Sequence, residues 1–404
     1  MSFHRLTLTR AIPSNRLRTF VRLTRNYSAM PFSRPLRATA VLIGLMLPAQ
    51  ALALEFVTVG PRSMGMGGAG VAVTTDSLAT YWNPAGLAMT QTVDVRIQGG
   101  GQVIDRLGIA DAVHDLENFN PNDPNAAAKA QDIANRINRP GATVSLNGSA
   151  GLYIKGHLGE HAFGLNISDV ATGGGFVSTQ VTVNPGPPVS LTGAMALRGF
   201  EARQAAFSYA YAFSDKMFSI GVTGKFIQGA AYNGTTTLTG GTDVSITDNF
   251  GKPTLSTAFG IDVGAIYRPS SWLRFGMVAK DINQPTFDDV GGGELKLGPQ
   301  VRGGVAINPY SSLTLTADVD ATSNKTFVPG VKSQVLSLGV EQTIFSEFMS
   351  FRLGAFKNMK DAGTPFTPTA GLGLRVFAFR MDVGGGYDFR EKGALVSGSL
   401  SLTF

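Results

Sequence analysis

Side chains that could do chemistry are few in this chain, and their spacing does not serve them. The histidines are His4, His114, His157 and His161. The last two stand four residues apart, a spacing that brings two imidazoles to one metal only on a helix. Gly156 to Glu160 between them reads instead as a turn joining two strands. Gly65, Gly67 and Gly70 satisfy G-x-G-x-x-G, which cradles a dinucleotide pyrophosphate when a strand leads in and a helix follows. No strand-like run precedes Gly65. The 404 residues include no Cys, which excludes thiol nucleophiles, disulfide frameworks and Cys-ligated zinc together. A G-x-S-x-G nucleophile elbow is also missing. The expectation is a protein that is not an enzyme, with no catalytic residue, metal or cofactor.

The chemistry that remains is charge placed between apolar neighbours. Arg96 lies between Val95 and Ile97, Asp262 between Ile261 and Val263, and Arg352 between Phe351 and Leu353. Lys225, Arg302, Glu341 and Arg375 sit in the same kind of setting. Successive side chains of a strand point to opposite faces, so these charges share one face and the apolar residues the other. Facing lipid, an Arg or Lys at the bilayer midplane costs about 2–4 kcal/mol. The charged face is therefore expected to line a lumen, and the apolar face to meet the membrane.

Such faces need strands, and apolar alternation recurs about fourteen times between Thr92 and Phe404. In the last run Val396, Gly398, Leu400, Leu402 and Phe404 alternate with Ser397, Ser399, Ser401 and Thr403. The expected fold is all-β, a transmembrane antiparallel barrel of about fourteen strands, an even number as single-chain barrels require. A soluble barrel with its apolar face inward fails on size, because side chains fill the interior at about eight strands but not at fourteen. Composition agrees: 50 Gly and 15% charged residues suit a sheet with many turns.

Connections alternate between short and long. Ser214 to Lys216, Pro309 to Ser311 and Phe379 to Arg380 belong to the short set, bracketed by aromatics such as Phe213, Phe218, Tyr267, Trp272, Phe345 and Phe348. These read as an interfacial girdle on the periplasmic side, with both chain ends there. Gly99 to Pro140, Val170 to Ala202 and Gly229 to Leu255 belong to the long, outward set. The first is expected to hold a helix over 123–138, since Ala130, Ile133, Ala134 and Ile137 fall on one face and must cover the barrel mouth or the lumen top. The second holds a hairpin, Phe176 to Val183 with Val189 to Leu197.

Residues 1–53 read as an export signal. Ala38 to Leu47 is an apolar core shorter than the roughly 20 residues of a spanning helix, and Ala51-Leu52-Ala53 supplies a small-x-small cleavage pattern. The true start could equally be Met30. A mitochondrial transit peptide competes as the reading of an Arg-rich leader but does not account for the apolar core. The leader also explains the formal charge of +6: its eight Arg leave 34 − 8 = 26 basic against 28 acidic residues, or −2. No nucleic-acid partner is indicated.

Between leader and barrel, residues 54–91 carry Gly60-Pro61-Arg62-Ser63-Met64-Gly65-Met66-Gly67-Gly68-Ala69-Gly70, then Asp76-Ser77, then Asn83-Pro84-Ala85. In order and spacing this resembles the amino-terminal hatch of the FadL-type outer-membrane transporters of hydrophobic compounds, a superfamily that includes conjugal-transfer TraF-like barrels. The resemblance implies a hatch over 54–91 inside a barrel over 92–404, with Asn83, Pro84 and Ala85 as the gate motif. It further implies capture of a fatty acid or aromatic hydrocarbon from outside and its sideways release at a kink in the third strand. Here the kink falls at Asp169 and Gly173, Gly174 and Gly175, although the family's Pro-Phe-Gly feature is missing. The carboxy-terminal Phe404 resembles the recognition signal for the barrel assembly machinery, and the surrounding partners are outer-membrane lipids. The function implied is passive uptake of hydrophobic small molecules. The alternative, taken from the TraF-like relatives, is a conjugal-transfer or secretion accessory with a protein partner.

Overall fold

A computed structural model describes residues 55–404 except 245–247, 362, 364 and 391. The expected leader over 1–53 lies outside the described residues. Fourteen antiparallel strands close on themselves. They are β1 (Asp94–Arg106), β2 (Thr143–Leu158), β3 (His161–Asn184), β4 (Ser190–Phe213), β5 (Phe218–Thr239), β6 (Thr254–Ser270) and β7 (Leu273–Lys280), then β8 (Gln300–Tyr310), β9 (Leu313–Asp320), β10 (Val335–Ile344), β11 (Met349–Asn358), β12 (Thr367–Val376), β13 (Phe379–Asp388) and β14 (Gly393–Thr403). Each pairs with its chain neighbour, and β14 closes on β1 from Asp94↔Thr403 to Val103↔Ala394. Full closure leaves no sheet edge unpaired, which is what lets a sheet cross a bilayer.

The two faces are inverted relative to a soluble protein. Ile97, Leu353 and Val396 are 64%, 67% and 68% exposed, whereas their neighbours Arg96 and Arg352 are 1–3% exposed. Exposed apolar side chains continue around the wall at Leu165, Phe207, Phe226, Phe259, Phe275 and Leu372. A belt of this extent is far larger than the apolar patches that soluble monomers carry. It matches the lipid-facing band of an outer-membrane barrel. Among the described residues no helix is long and apolar enough to cross a membrane.

One end carries tight turns of two or four residues. Phe213, Phe218, Tyr267, Trp272, Tyr310, Phe345 and Phe348 are exposed there, so the aromatic girdle is real. One turn differs from expectation: Val376 pairs with Phe379 and Arg375 with Arg380, which moves it to Phe377 and Ala378.

At the other end β3, β4 and β5 project. The loops expected over Val170 to Ala202 and Gly229 to Leu255 are largely strand, since β3 and β4 each run for 24 residues. Their Gly, Ser and Thr content hides the alternation, but ladder bonding does not require apolar side chains. The hairpin tip agrees with the sequence, with Val183 opposite Leu191. Two helices follow β1, α1 (Ile109–Glu117) and α2 (Ala126–Ile137). The second begins three residues later than expected, because Asp123 is spent on a turn, its carboxylate accepting from Asn125 N at 2.8 Å. The first was not expected, although Ile109, Ala112, Val113 and Leu116 follow the helical period and are buried. Both pack on Leu191, Met195, Leu197 and Leu238. Met195 and Leu197 share parity with lipid-facing Phe207 along β4. The apolar stripe therefore covers the outer-parity face of the projecting strand ends, not the mouth or lumen top.

Candidate functional site

The inward face of the barrel meets the chain's own amino-terminal segment. From Glu55 to Met89 nearly every residue is buried. Pro61, at the first position, starts the short helix Pro61–Gly65, where its missing N–H costs nothing. A second turn, Ala79–Trp82, stops at Asn83, whose extended backbone (φ −163°) suits a residue preceding proline. Phe56, Val59, Val71, Leu78, Tyr81 and Trp82 gather into an apolar cluster with Tyr153 of β2 and Val278 of β7. The rings keep their polar atoms bonded: Trp82 Nε1 donates to Val59 O and Tyr81 OH to Val57 O, each at 2.8 Å.

The segment approaches the wall so closely that side chains have been removed from it. A Cβ on Gly339 of β10 would lie 2.5 Å from Met66 Cβ, and one on Gly221 of β5 2.5 Å from Ala85 N. Gly354 of β11 abuts Gly67, Gly384 of β13 abuts Pro61, and Gly264 of β6 abuts the Asn83 side chain. Inward-facing glycines thus form a seat around much of the circumference. Sequence reading credited the glycines to turns; their signal was their shared inward parity.

The charges expected to line a wet bore hold this segment instead. Glu341 receives Arg62 from the segment and Arg352 from the wall, both at 2.6 Å. Arg352 reaches Asp382 at 2.8 Å, and Arg96 contacts Asp76 at 3.0 Å and both Asp94 and Asp382 at 3.5 Å. Burial alone would raise the Asp76 carboxyl, but Arg96, Arg62 and Arg380 outweigh it and hold it below the usual range. Arg302 pairs with Asp320 at 2.5 Å and stacks over Phe56 at 4.1 Å. Asp318 accepts from Gly70 N and Val71 N at 2.7 and 2.8 Å, and Lys155 donates to Thr75 O and Thr90 O at 2.7 and 2.9 Å. Lys225 is held by Asp262 at 2.8 Å and Asp281 at 2.7 Å. Arg375 stands apart: it sits half-exposed at the turn end and pairs with Glu347 at 2.5 Å. Six of the seven expected lumen charges, Arg96, Lys225, Asp262, Arg302, Glu341 and Arg352, are buried in these networks; Arg375 is not.

Asn83, Pro84 and Ala85 come together at the seat. Asn83 donates to Val71 O at 3.1 Å and to Ala265 O of β6 at 3.2 Å, while its side-chain oxygen accepts from Ala85 N at 3.2 Å. Ala85 O accepts from Ser219 of β5 at 2.8 Å. The motif therefore ends one helical turn, starts the next and fastens both to two adjacent strands. The third-strand opening is not where the sequence suggested. Asp169 and Gly173 to Gly175 pair without a break with both β2 and β4, and register shifts appear further along, between Val177 and Thr182.

Above the segment the lumen narrows to small cavities of ≈ 70, 110 and 110 Å³, all bordered by Glu55. The smallest is bordered by Phe200 of β4, on which Phe287 of a two-stranded hairpin, Thr286–Asp288 with Glu294–Lys296, packs at 5.0 Å.

Residues 80–320, more than half of the chain, match the family described as "F plasmid transfer operon, TraF, protein". The chain belongs to that TraF family. Among solved structures, this TraF-family barrel is similar to the Ralstonia pickettii toluene transporter TbuX at 16% identity and TM-score 0.50, covering 85% of this chain and 97% of that one. A deltaS2 mutant of the monoaromatic hydrocarbon channel TodX matches at 12% identity and TM-score 0.50, covering 87% and 98%. At these identities the likeness is one of fold alone. A search of curated proteins finds no match.

Proposed function

We propose that this TraF-family barrel is an outer-membrane channel for passive uptake of hydrophobic small molecules, with residues 54–91 as its hatch. The observation that carries this is the close packing of the amino-terminal segment inside the barrel, with Met66 against Gly339 and Ala85 against Gly221. A bore stopped by its own chain suits discontinuous passage of single molecules and not a continuous column of water. The TbuX and TodX structures, which share the fold, are described as a toluene transporter and a monoaromatic hydrocarbon channel. In this reading Asn83, Pro84 and Ala85 latch the hatch to β5 and β6, the aromatic-rimmed turns and both chain ends face the periplasm, and Phe404 is read by the assembly machinery. Phe404 exchanges backbone hydrogen bonds with Val93 at 2.9 and 3.0 Å while its ring stays exposed, so the ring is free for such recognition. Deleting the gene and following labelled toluene and oleate into cells tests the proposal; it expects slower entry of at least one class, and unchanged entry of both would reject it.

The description of the matched family favours a second reading, an accessory of conjugal transfer. It expects the deletion to lower plasmid transfer while leaving uptake intact, so the same strain separates the two.

A further inference from the structure

We propose that the hairpin over 286–296 is a lid on the loop-side half of the lumen, and that its Phe287 ring fills a receiving site which an apolar molecule of about one aromatic ring takes when the lid lifts. The inference rests on the uptake reading and adds to it the place where cargo is first received.

The wall is cut to seat a ring. Phe200 of β4 shares inward parity with Gln204, and Ile227 and Ala231 of β5 share it with Lys225; all three lie farther along their strands from the tight turns, so they face the lumen on its loop side. There they form an apolar cluster with Phe287, Leu295 and Leu297. Phe287 is 2% exposed, and its ring lies 5.0 Å from that of Phe200 at 59°. Beside both rings the wall carries Gly229, where a Cβ would come within 2.5 Å of Phe287 Cδ1 and 2.8 Å of Phe200 Cε2. A side chain at 229 would take the space of the ring. The other inward glycines seat the amino-terminal segment, and this one seats a single phenyl group. Every member of the cluster is apolar, and an ion entering it would lose hydration without return.

What holds the hairpin in place is this apolar contact more than backbone bonding. Its strands share three ladder pairs, from Thr286↔Lys296 to Asp288↔Glu294, in a sheet separate from the barrel. Among the described residues, 286–296 meets the wall through one hydrogen bond, from Asp288 N to Ser256 Oγ of β6 at 2.8 Å. The chain enters the hairpin through Asp281 and Gln284, both left-handed at φ 54°, a conformation that recurs at switching elements. At the tip, Gly291 and Gly292 have open space around them. The element is thus small, lightly bonded and seated by one buried ring with its neighbours. An apolar molecule arriving from the loop side competes for the same contacts, and once it occupies them the hairpin has lost its anchor. An apolar hole left by a deleted side chain, of roughly 150 Å³, stays dry and binds benzene, so the seat that Phe287 vacates is a binding site in its own right.

The test is calorimetric titration of the detergent-solubilised protein with toluene, against protein-free micelles, for the parent, for Phe287→Ala, and for the double variant Ser256→Cys with Asp288→Cys in its oxidised and reduced forms. The chain has no Cys of its own, so a disulfide between these two touching positions is the sole one and ties the hairpin to β6. Phe287→Ala removes the resident ring and should bind toluene at least about tenfold more tightly than the parent. The oxidised double variant should bind at least about tenfold more weakly than the same protein reduced, because the open form is no longer populated. Unchanged or weaker binding in a folded Phe287→Ala overturns the inference. So does equal binding by the oxidised and reduced forms, a comparison that stands even if Phe287→Ala does not fold. Toluene binding by the parent that neither variant alters overturns the lid and leaves the uptake reading standing. Absence of binding in the parent, in Phe287→Ala and in the reduced double variant overturns the inference and counts against uptake as well.

Discussion

Arg62 and Glu341 meet at 2.6 Å across 279 residues of sequence, joining the amino-terminal segment to the wall strand β10. Glu341 also holds Arg352 at 2.6 Å, so one carboxylate balances two guanidiniums away from water. Replacing Glu341 by Gln takes from Arg62 its carboxylate partner and leaves Arg352 with Asp382 alone, and breaking a buried pair in this way costs about 3–5 kcal/mol. The temperature at which the barrel loses its heat-modifiable gel mobility should fall clearly. An unchanged transition would show that the network contributes little.

The glycine seat makes a steric prediction. Gly339→Val and Gly354→Val place methyl groups where Met66 and Gly67 lie, while Gly99, on the lipid-facing parity of β1, has open space around it and serves as control. The two seat variants should still form barrels but release the segment to added protease. Gly99→Val should resist cleavage like the parent. Equal resistance in all three would mean that the close approach does not exist in the folded protein.

Asn83→Ala removes the hydrogen bonds to Val71, Ala265 and Ala85. At roughly 1 kcal/mol each, with more for buried groups left unpaired, the loss loosens the amino-terminal segment without opening the sheet. Liposomes carrying the variant should leak small solutes faster than those carrying the parent. Loss of heat-modifiable mobility in the same variant would make the motif a folding element and not a latch.

Inversion of the two faces can be tested at Leu353, which is 67% exposed on the outer wall. Leu353→Arg should destabilise the barrel in lipid vesicles by about 2–4 kcal/mol by urea titration. On a water-facing surface the same change would be nearly neutral.

Strand number and face assignment were legible because each rests on a period of two that the lipid and the lumen enforce jointly. The projecting ends of β3 to β5 were not, since Gly173 to Gly175 and the Thr-rich end of β5 carry no apolar alternation while still bonding across the ladder. Helix α1 was legible in Ile109, Ala112, Val113 and Leu116 but was masked by the acidic residues between them. For the site, the parity of Arg96, Arg302, Glu341 and Arg352 placed them correctly inside. What they touch was not accessible, because the partner of an inward charge depends on a segment hundreds of residues away. Arg375 shows the limit of parity, since the inward face at the rim is already wet.

The central claim is that residues 61–89 are packed inside the barrel and held there by its charges. Hydrogen–deuterium exchange of the detergent-solubilised protein tests it directly. The account predicts that amides of this stretch, including Gly67, Gly70 and Val71, exchange as slowly as those of the barrel strands. Exchange of the whole stretch within seconds, with the strands still protected, would contradict it.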